Sequence, residues 1–356
     1  MKRLLLLSFA ALCCTLIAMA EDPVAIEVEY ETGKFMYFFL DETKATATVT
    51  YGNVKYTGSI AIPSSVTVES KEYAVTCIGQ RAFMSCAGLT SVSIPESVTS
   101  IESNAFYCCF GLTSVSIPES VTSIEISAFY YCTGLTSVTI SNSVKRIGDA
   151  AFESTGLTSV TIPNSVTSIG AGAFRGCMKL ASVTIPNSVE SIEDEAFHLC
   201  ANLKYVVVLA TNPPTLGTDT FEGVAPAFTI YVTDKTAYNG WGGFENIKDF
   251  ADYKSFAKDE IAATTQGSAY LNGLVEVYKN SIETADEFDV VSSNMDEAIS
   301  KLLFARQAYQ SMAKETLGTL VTEQNGPAVE VIDQNDKVVR LYNPKKVNFI
   351  KVTTEE

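Results

Sequence analysis

Histidine occurs once in this 356-residue chain, at position 198. That scarcity removes whole classes of chemistry. A single imidazole cannot form a paired metal-ligating motif, and His198 stands alone at a variable position, where it reads as a solvated side chain rather than a base. A nucleophile elbow and a phosphate-binding glycine loop are also absent. Basic residues are few: 25 Lys and Arg face 41 Asp and Glu, a formal net charge of −16. Nucleic acid and anionic membrane surfaces both need clustered Lys or Arg, so both are poor partners. After the first twenty residues no segment is apolar enough to cross a bilayer. The densest acidic cluster, Glu193-Asp194-Glu195, has the charge for Ca²⁺ but no EF-hand-like spacing around it, and reads as a solvated face. These absences point away from an enzyme. No catalytic residue, cofactor or metal site is expected.

What the chain does have begins with an export signal. Lys2 and Arg3 precede the apolar stretch Leu4 to Ile17, and Ala18-Met19-Ala20 forms a small-residue cleavage site. A lipid anchor on Cys13 or Cys14 is disfavoured because Leu12 or Cys13, rather than a small residue, would precede it. Cleavage after Ala20 leaves 23 basic residues against 41 acidic ones, a net charge of −18, which suits solubility outside the cell. It also leaves seven cysteines. A secreted chain suggests disulfides. The spacing argues for buried thiols instead: Cys86, Cys109, Cys132, Cys177 and Cys200 each follow a phenylalanine by three residues, so they stack as one column.

The phenylalanines mark an internal repeat. Phe83, Phe106, Phe129, Phe152, Phe174 and Phe197 are spaced by four steps of 23 residues and one of 22, the short step following a lost residue near Thr155. The unit reads Leu-x-x-Val-x-Ile-Pro-x-Ser-Val-x-x-Ile-x-x-x-Ala-Phe-x-x-Cys. A fixed period in the twenties with aliphatics at fixed offsets predicts a solenoid of leucine-rich repeats, in which only stacking buries the apolar edges. In the coil from Leu89 to Cys109, Leu89, Val92 and Ile94 point inward and Ser91 and Ser93 outward, as a short strand that Pro95 ends. Val98 and Ile101 carry the core around a bend, and a short helical turn is expected at Ala105-Phe106. Residues 21–78 read as an N-terminal cap, with strand-like stretches Ala45 to Tyr51, Tyr56 to Ile62 and Tyr73 to Ile78, and with Ile60 to Val66 as a degenerate first repeat. Residues 79–250 read as the solenoid and a C-terminal cap built around Phe221, Ile230 to Val232 and the only tryptophan, Trp241.

Residues 24–250 resemble the BspA-like leucine-rich repeat family. The resemblance rests on Leu112-Thr113-Ser114-Val115-Ser116-Ile117-Pro118-Glu119-Ser120-Val121-Thr122-Ser123-Ile124 with Ala128-Phe129 and Cys132, on the Asn212-Pro213-Pro214 break, and on Ala237-Tyr238 to Trp241. It implies an α/β solenoid of right-handed hand and a role in adhesion at cell surfaces. It implies no fixed set of functional residues.

The period stops near Asp252. Tyr253, Ala257 and Ile261 suit one helix. Leu271, Leu274, Val275, Tyr278 and Ile282 suit a second, with Ser268 as cap. Met295, Ile299, Leu302, Ala305, Tyr309 and Met312 suit a third behind a capping-box pattern. Residues 251–326 are therefore expected to form a small helical bundle. Residues 327–356 alternate with period two: Val329 and Val331, then Val338 and Leu341, flank Asn335-Asp336 as a hairpin, with Val347 to Val352 as a further strand.

Two repeated columns are candidates for binding. One is the hydroxyl face of the strands, from Ser91 and Ser93 through Ser114, Ser116, Ser137, Thr139, Ser159 and Thr161 to Ser182 and Thr184, a flat grid suited to glycans. The other follows each phenylalanine: Met84, Tyr107, Tyr130, Glu153, Arg175 and His198. A position free to vary within a strict repeat is not needed by the core. Here Tyr107, Phe110, Tyr130 and Tyr131 gather aromatics in two neighbouring coils, and exposed aromatics anchor protein interfaces. The sequence thus reads as a secreted or cell-surface binding protein for an extracellular protein or surface ligand, with adhesion as the leading role and glycan capture on the Ser/Thr face as the alternative.

Overall fold

The computed structural model describes residues 25–31, 34–52, 55–264, 272–285, 298–299, 301–302, 328–332 and 338–342. The chain divides after Lys248 into two compact units. The first opens with an antiparallel meander of β1 (Ile26–Glu31), β2 (Lys34–Asp41) and β3 (Thr46–Thr50). Period-two alternation buries Met36 and Phe38 and turns Phe35 to solvent. After β4 (Gly58–Ala61), the hairpin β5 (Ser65–Val68) and β6 (Lys71–Ile78) brings β6 back parallel to β3. The strands β1, β2 and β5 extend the cap beyond the three stretches evident in the sequence.

Each later coil supplies a first strand and a shorter second one. These are β7 (Leu89–Ser93) and β8 (Ser100–Ile101), β9 (Ser114–Ser116) and β10 (Ser123–Ile124), then β11 (Ser137–Thr139) and β12 (Arg146–Ile147). The next coil has only β13 (Ser168–Ile169). There follow β14 (Ser182–Ile185) and β15 (Ser191–Ile192), then β16 (Tyr205–Val208) and β17 (Thr215–Leu216); the C-terminal cap adds β18 (Thr229–Val232) and β19 (Ile247–Lys248), which pair with each other on the first-strand side. The second strands continue the cap sheet in the order β1-β2-β3-β6-β8-β10-β12-β13-β15-β17. So Ile101 and its counterparts do more than carry the core round a bend: they build a second parallel sheet, for which the β-branched Val-x-x-Ile pattern is the sequence signal.

The first strands do not form one continuous sheet. They make β4-β7-β9-β11 and β14-β16-β18-β19, with the short coil between them tied to β14 by the isolated bridge between Thr161 and Thr184. The interruption falls in the 22-residue coil. Thr155 takes the cysteine place and the residue between it and the glycine is missing, so Thr158 N–H reaches Thr136 O at 3.4 Å where Thr136 N–H reaches Thr113 O at 3.0 Å. The missing residue lies in the turn before the strand, so the alternation survives, with Val160 and Ile162 still buried, and only the hydrogen bonding to the preceding coil is disturbed.

The core is a column of stacked rings. Phe83, Phe106, Phe129, Phe152, Phe174 and Phe197 are fully buried, their centroids 4.9 to 5.5 Å apart and their planes within 9° of parallel. Phe221 adds a seventh ring, 5.4 Å from Phe197. Tyr56 closes the upper end against Phe83 at 52°, and Phe244 closes the lower end edge-on to Phe221. In the C-terminal cap Tyr238 is fully buried and donates to Ala210 O, while Trp241 Nε1 donates to Pro214 O. These bonds satisfy the polar ends of otherwise buried rings.

Beside the rings runs the cysteine column, and all seven cysteines from Cys77 to Cys200 are free thiols. They do more than fill space. Cys109, Cys132, Cys177 and Cys200 donate to the carbonyls of Phe83, Phe106, Phe152 and Phe174 at 3.0 to 3.2 Å. A thiol is small, largely apolar and still a weak donor, so it meets a buried carbonyl at little desolvation cost. In the short coil Thr155 takes the cysteine place and shares a 3.2 Å hydrogen bond with Cys177 Sγ. Burial pushes the Cys86 and Cys177 thiols up to about 11, and Cys200 higher still.

In the second unit, α1 (Phe250–Thr264) buries Tyr253, Ala257 and Ile261, the spacing the sequence shows. In α2 (Asn272–Thr284), Val275 and Ile282 are buried. Lys254 Nζ donates to Glu283 O and Lys258 pairs with the Glu283 carboxylate, tying the two helices. The hairpin of β20 (Ala328–Ile332) and β21 (Val338–Tyr342) sets Val329 opposite Leu341 and Val331 opposite Val339. The export signal, the Ser268 cap and the Val347 to Val352 strand lie outside the described residues. So does the third helix, apart from 298–299 and 301–302, which are helical. Among the described residues no helix is long and apolar enough to cross a membrane.

Two outcomes follow for stability. Proline follows the first-strand position at 95, 118, 163 and 186, but the equivalent residue in one coil is Ser141, whose buried hydroxyl finds no partner in the protein. Ser141→Pro is expected to stabilise the chain by about 0.5–1 kcal/mol, read as a raised urea midpoint. The raised thiol values set a pH dependence. Unfolded cysteines ionise near 9.0, whereas Cys86 and Cys177 hold their protons to about 11, so the unfolded state binds fewer protons above pH 9. Urea midpoints are expected to show this contribution intact below pH 9 and progressively lost between pH 9 and 11; Cys177→Ala flattens that decline.

Candidate functional site

The third side of each coil is a run of turns that holds the variable column in place. The expected helical turn at Ala105-Phe106 is instead three overlapping turns: Ala105 N–H bonds Glu102 O, Tyr107 N–H bonds Asn104 O and Cys109 N–H bonds Phe106 O. The residues two before and two after each phenylalanine are left-handed. Asn104 and Cys108 have φ of 61° and 59°, and Ser127 and Tyr131 have 54° and 59°. This alternation turns every second N–H away from its own coil and toward the next one. Phe106 N–H bonds Ala128 O at 2.7 Å, and Cys108 N–H bonds Tyr130 O at 2.8 Å. A regular helix would direct those donors along its own axis and break the stack.

The same ladder fixes the residues after each phenylalanine. Tyr107 and Tyr130 stack at 4.8 Å with planes 7° apart; Tyr131 lies 6.0 Å from Tyr130; Phe110 meets Tyr131 edge-on at 6.0 Å. All four aromatics singled out by the repeat therefore form one cluster. Their exposure divides them. Phe110 and Tyr131 are 43% and 44% exposed, whereas Tyr107 and Tyr130 are half-buried because each covers a face of the other. Burial raises the Tyr130 phenol above its usual range, helped by the Glu153 carboxylate of the next coil. Tyr131 occupies a left-handed position where other coils have Gly176 and Gly223. A bulky side chain there costs about 1 kcal/mol relative to glycine, strain that the backbone itself does not require.

The lower half of the column is charged. Arg175 Nη1 lies 2.7 Å from Glu195 Oε2, and its Nε lies 3.9 Å from Glu153 Oε1. His198 is half-buried rather than fully solvated, with Nδ1 3.7 Å from the same Glu195 oxygen. Burial lifts the Glu153 carboxyl above its ordinary value against the pull of Arg175. The three carboxylates of Glu193-Asp194-Glu195 serve different partners: Glu193 faces Arg146 at 3.9 Å, Asp194 accepts from Thr218, and Glu195 holds Arg175. Among the described residues no group of three metal-ligating side chains converges.

On the first-strand face, Ser114, Ser116, Ser137 and Thr139 point outward in register. Ser91, Ser93, Ser114, Ser116 and Glu96 line an open depression of about 390 Å³. Ser159 and Thr161 of the short coil are exposed in the same alternation, and Thr161 pairs with Thr184.

The profile described as a BspA type Leucine rich repeat region matches residues 59–181 and 146–256, in six copies. The crystal structure of a T. pallidum leucine rich repeat protein is similar at 28% identity and a TM-score of 0.50, over 60% of this chain and 95% of that one. A leucine rich cell surface protein from Faecalibacterium prausnitzii is 27% identical over 60% of this chain and 77% of its own, with a TM-score of 0.38. A leucine-rich repeat protein from Bacteroides ovatus is 22% identical over 60% and 75%, with a TM-score of 0.40. No curated protein sequence matches.

Proposed function

Because the chain belongs to the BspA-type leucine-rich repeat family, we propose that it is a secreted or cell-surface protein that binds an extracellular protein through the ridge of Tyr107, Phe110, Tyr130 and Tyr131, in an adhesive role toward host or microbial surfaces. The observation that carries this reading is the assembly of four aromatic side chains at one corner of the stack, two of them exposed over more than two-fifths of their surface. Stacking fixes Tyr107 and Tyr130 before any partner arrives, so little side-chain entropy is lost on binding. Rings of this kind are the residues that dominate protein interfaces.

A second reading is favoured by the depression at Ser91, Ser93, Ser114 and Ser116, whose clustered hydroxyls and Glu96 suit a glycan. The two separate by mutation. Tyr131→Gly with Phe110→Ala installs residues that other coils already carry at those positions, Gly176 and Ala87, so the fold is expected to survive. In a screen against immobilised matrix and plasma proteins and a glycan array, the parent chain is expected to bind protein and the double variant to lose about tenfold or more in affinity. Retained protein binding moves the site off the ridge. Glycan binding lost on replacing Ser114 and Ser116 with bulky residues supports the second reading.

A further inference from the structure

We infer that the ridge accepts an extended, arginine- or lysine-bearing segment of a protein partner, laid along the turn face of the solenoid. The inference rests on the ridge being the docking surface and adds the chemistry of what docks there.

Charge is segregated between the faces of the coils. Seven equivalent turn segments, 79–87, 102–110, 125–133, 148–156, 170–178, 193–201 and 217–225, carry nine carboxylates and two basic residues, Arg81 and Arg175. The first strands β7, β9, β11 and β14 carry no charge at all. Arg175 pairs with Glu195 and Glu153, Arg146 with Asp149 and Glu193, and Lys55 donates to Met84 O, which leaves Glu102, Glu125, Asp194, Asp219 and Glu222 without an ion pair among the described residues. The aromatic cluster lies within this acidic stretch: Glu125 opens the same turn segment as Tyr130 and Tyr131, and Glu153 occupies the same column one coil on. Tyr131 N–H bonds Glu153 O at 2.8 Å, which fixes that neighbour.

Exposed rings bordered by carboxylates favour a cation over an anion or a purely apolar chain. The ring quadrupole attracts a guanidinium or ammonium, the carboxylates add Coulomb attraction, and an acidic segment is repelled by both. The dimensions agree. Coils repeat at about 5 Å, so the five steps from the Glu102 segment to the Glu222 segment span roughly 25 Å, the reach of about eight residues in extended form. Alternate residues of such a segment face the ridge.

The test is fluorescence anisotropy on the full-length protein with a labelled eight-residue peptide alternating arginine and glycine, against a glutamate–glycine peptide of equal length. The arginine peptide is expected to bind at least about tenfold more tightly, to weaken as salt shortens the Debye length to about 8 Å at physiological ionic strength, and to lose about tenfold with Glu125→Gln plus Glu153→Gln or with Tyr131→Gly plus Phe110→Ala. The salt titration needs no variant, so a folding defect in the carboxylate variant does not spoil the test. Equal binding of the two peptides, or affinity indifferent to salt, overturns the inference. Where the protein screen gives a partner whose binding is lost with Tyr131→Gly but unmoved by salt and by the carboxylate changes, the ridge stands and the cationic partner does not. Where neither partner nor peptide binds, both fall together.

Discussion

The spacing between coils is the constraint on which everything else depends. Parallel strands hydrogen-bond at about 4.8 Å, and a stack built on them forces every side chain to lie on its counterpart one coil away. Phenylalanine suits that geometry because offset rings with parallel faces are favourable near this separation. The left-handed residues on either side of each ring let the turns follow suit, sending alternate N–H groups to the neighbouring coil at 2.7 to 3.3 Å. Rings, thiols and turns are thus three answers to one requirement: each gives buried side chains or backbone groups a partner in the coil above or below.

That requirement also decides where function is free to reside. Inward positions are committed to the stack, and so are glycines such as Gly134, where an added Cβ would lie 2.2 Å from Phe110 O. The residue after each phenylalanine contributes only its backbone to the ladder, so its side chain varies from tyrosine to glutamate to arginine without disturbing the fold. A rigid scaffold that repeats its backbone and varies one column gives a preorganised surface whose character changes along its length, aromatic through Tyr107 and Tyr130 and charged from Glu153 onward.

Much of this was legible in the residues. The period placed the rings, the cysteine column and the four clustered aromatics, because strict repetition translates directly into spatial stacking. Other features were hidden for physical reasons. Phe221 follows at an irregular step past the Asn212-Pro213-Pro214 break, so periodicity misses the seventh ring. Two-residue strands such as Ser100–Ile101 are too short to show alternation, and only their vertical pairing makes them a sheet. A left-handed residue is unmarked when it is Asn, Ser or Tyr rather than glycine, which is why a helical turn was expected where three turns stand. The lost residue near Thr155 was visible, but its effect, a broken ladder on one face beside an unbroken ring column, depends on how each face absorbs the deletion.

That divergence can be measured. If inter-coil register through the rings and turns holds the solenoid together, the interrupted strand ladder at Leu157–Ile162 does not divide it. Native-state hydrogen exchange on the amides of Phe106, Phe129, Phe152 and Phe174, each bonded to the next coil, reads this directly. One common opening free energy is expected across all four. Two blocks with different opening free energies, separating at Thr155, would contradict it.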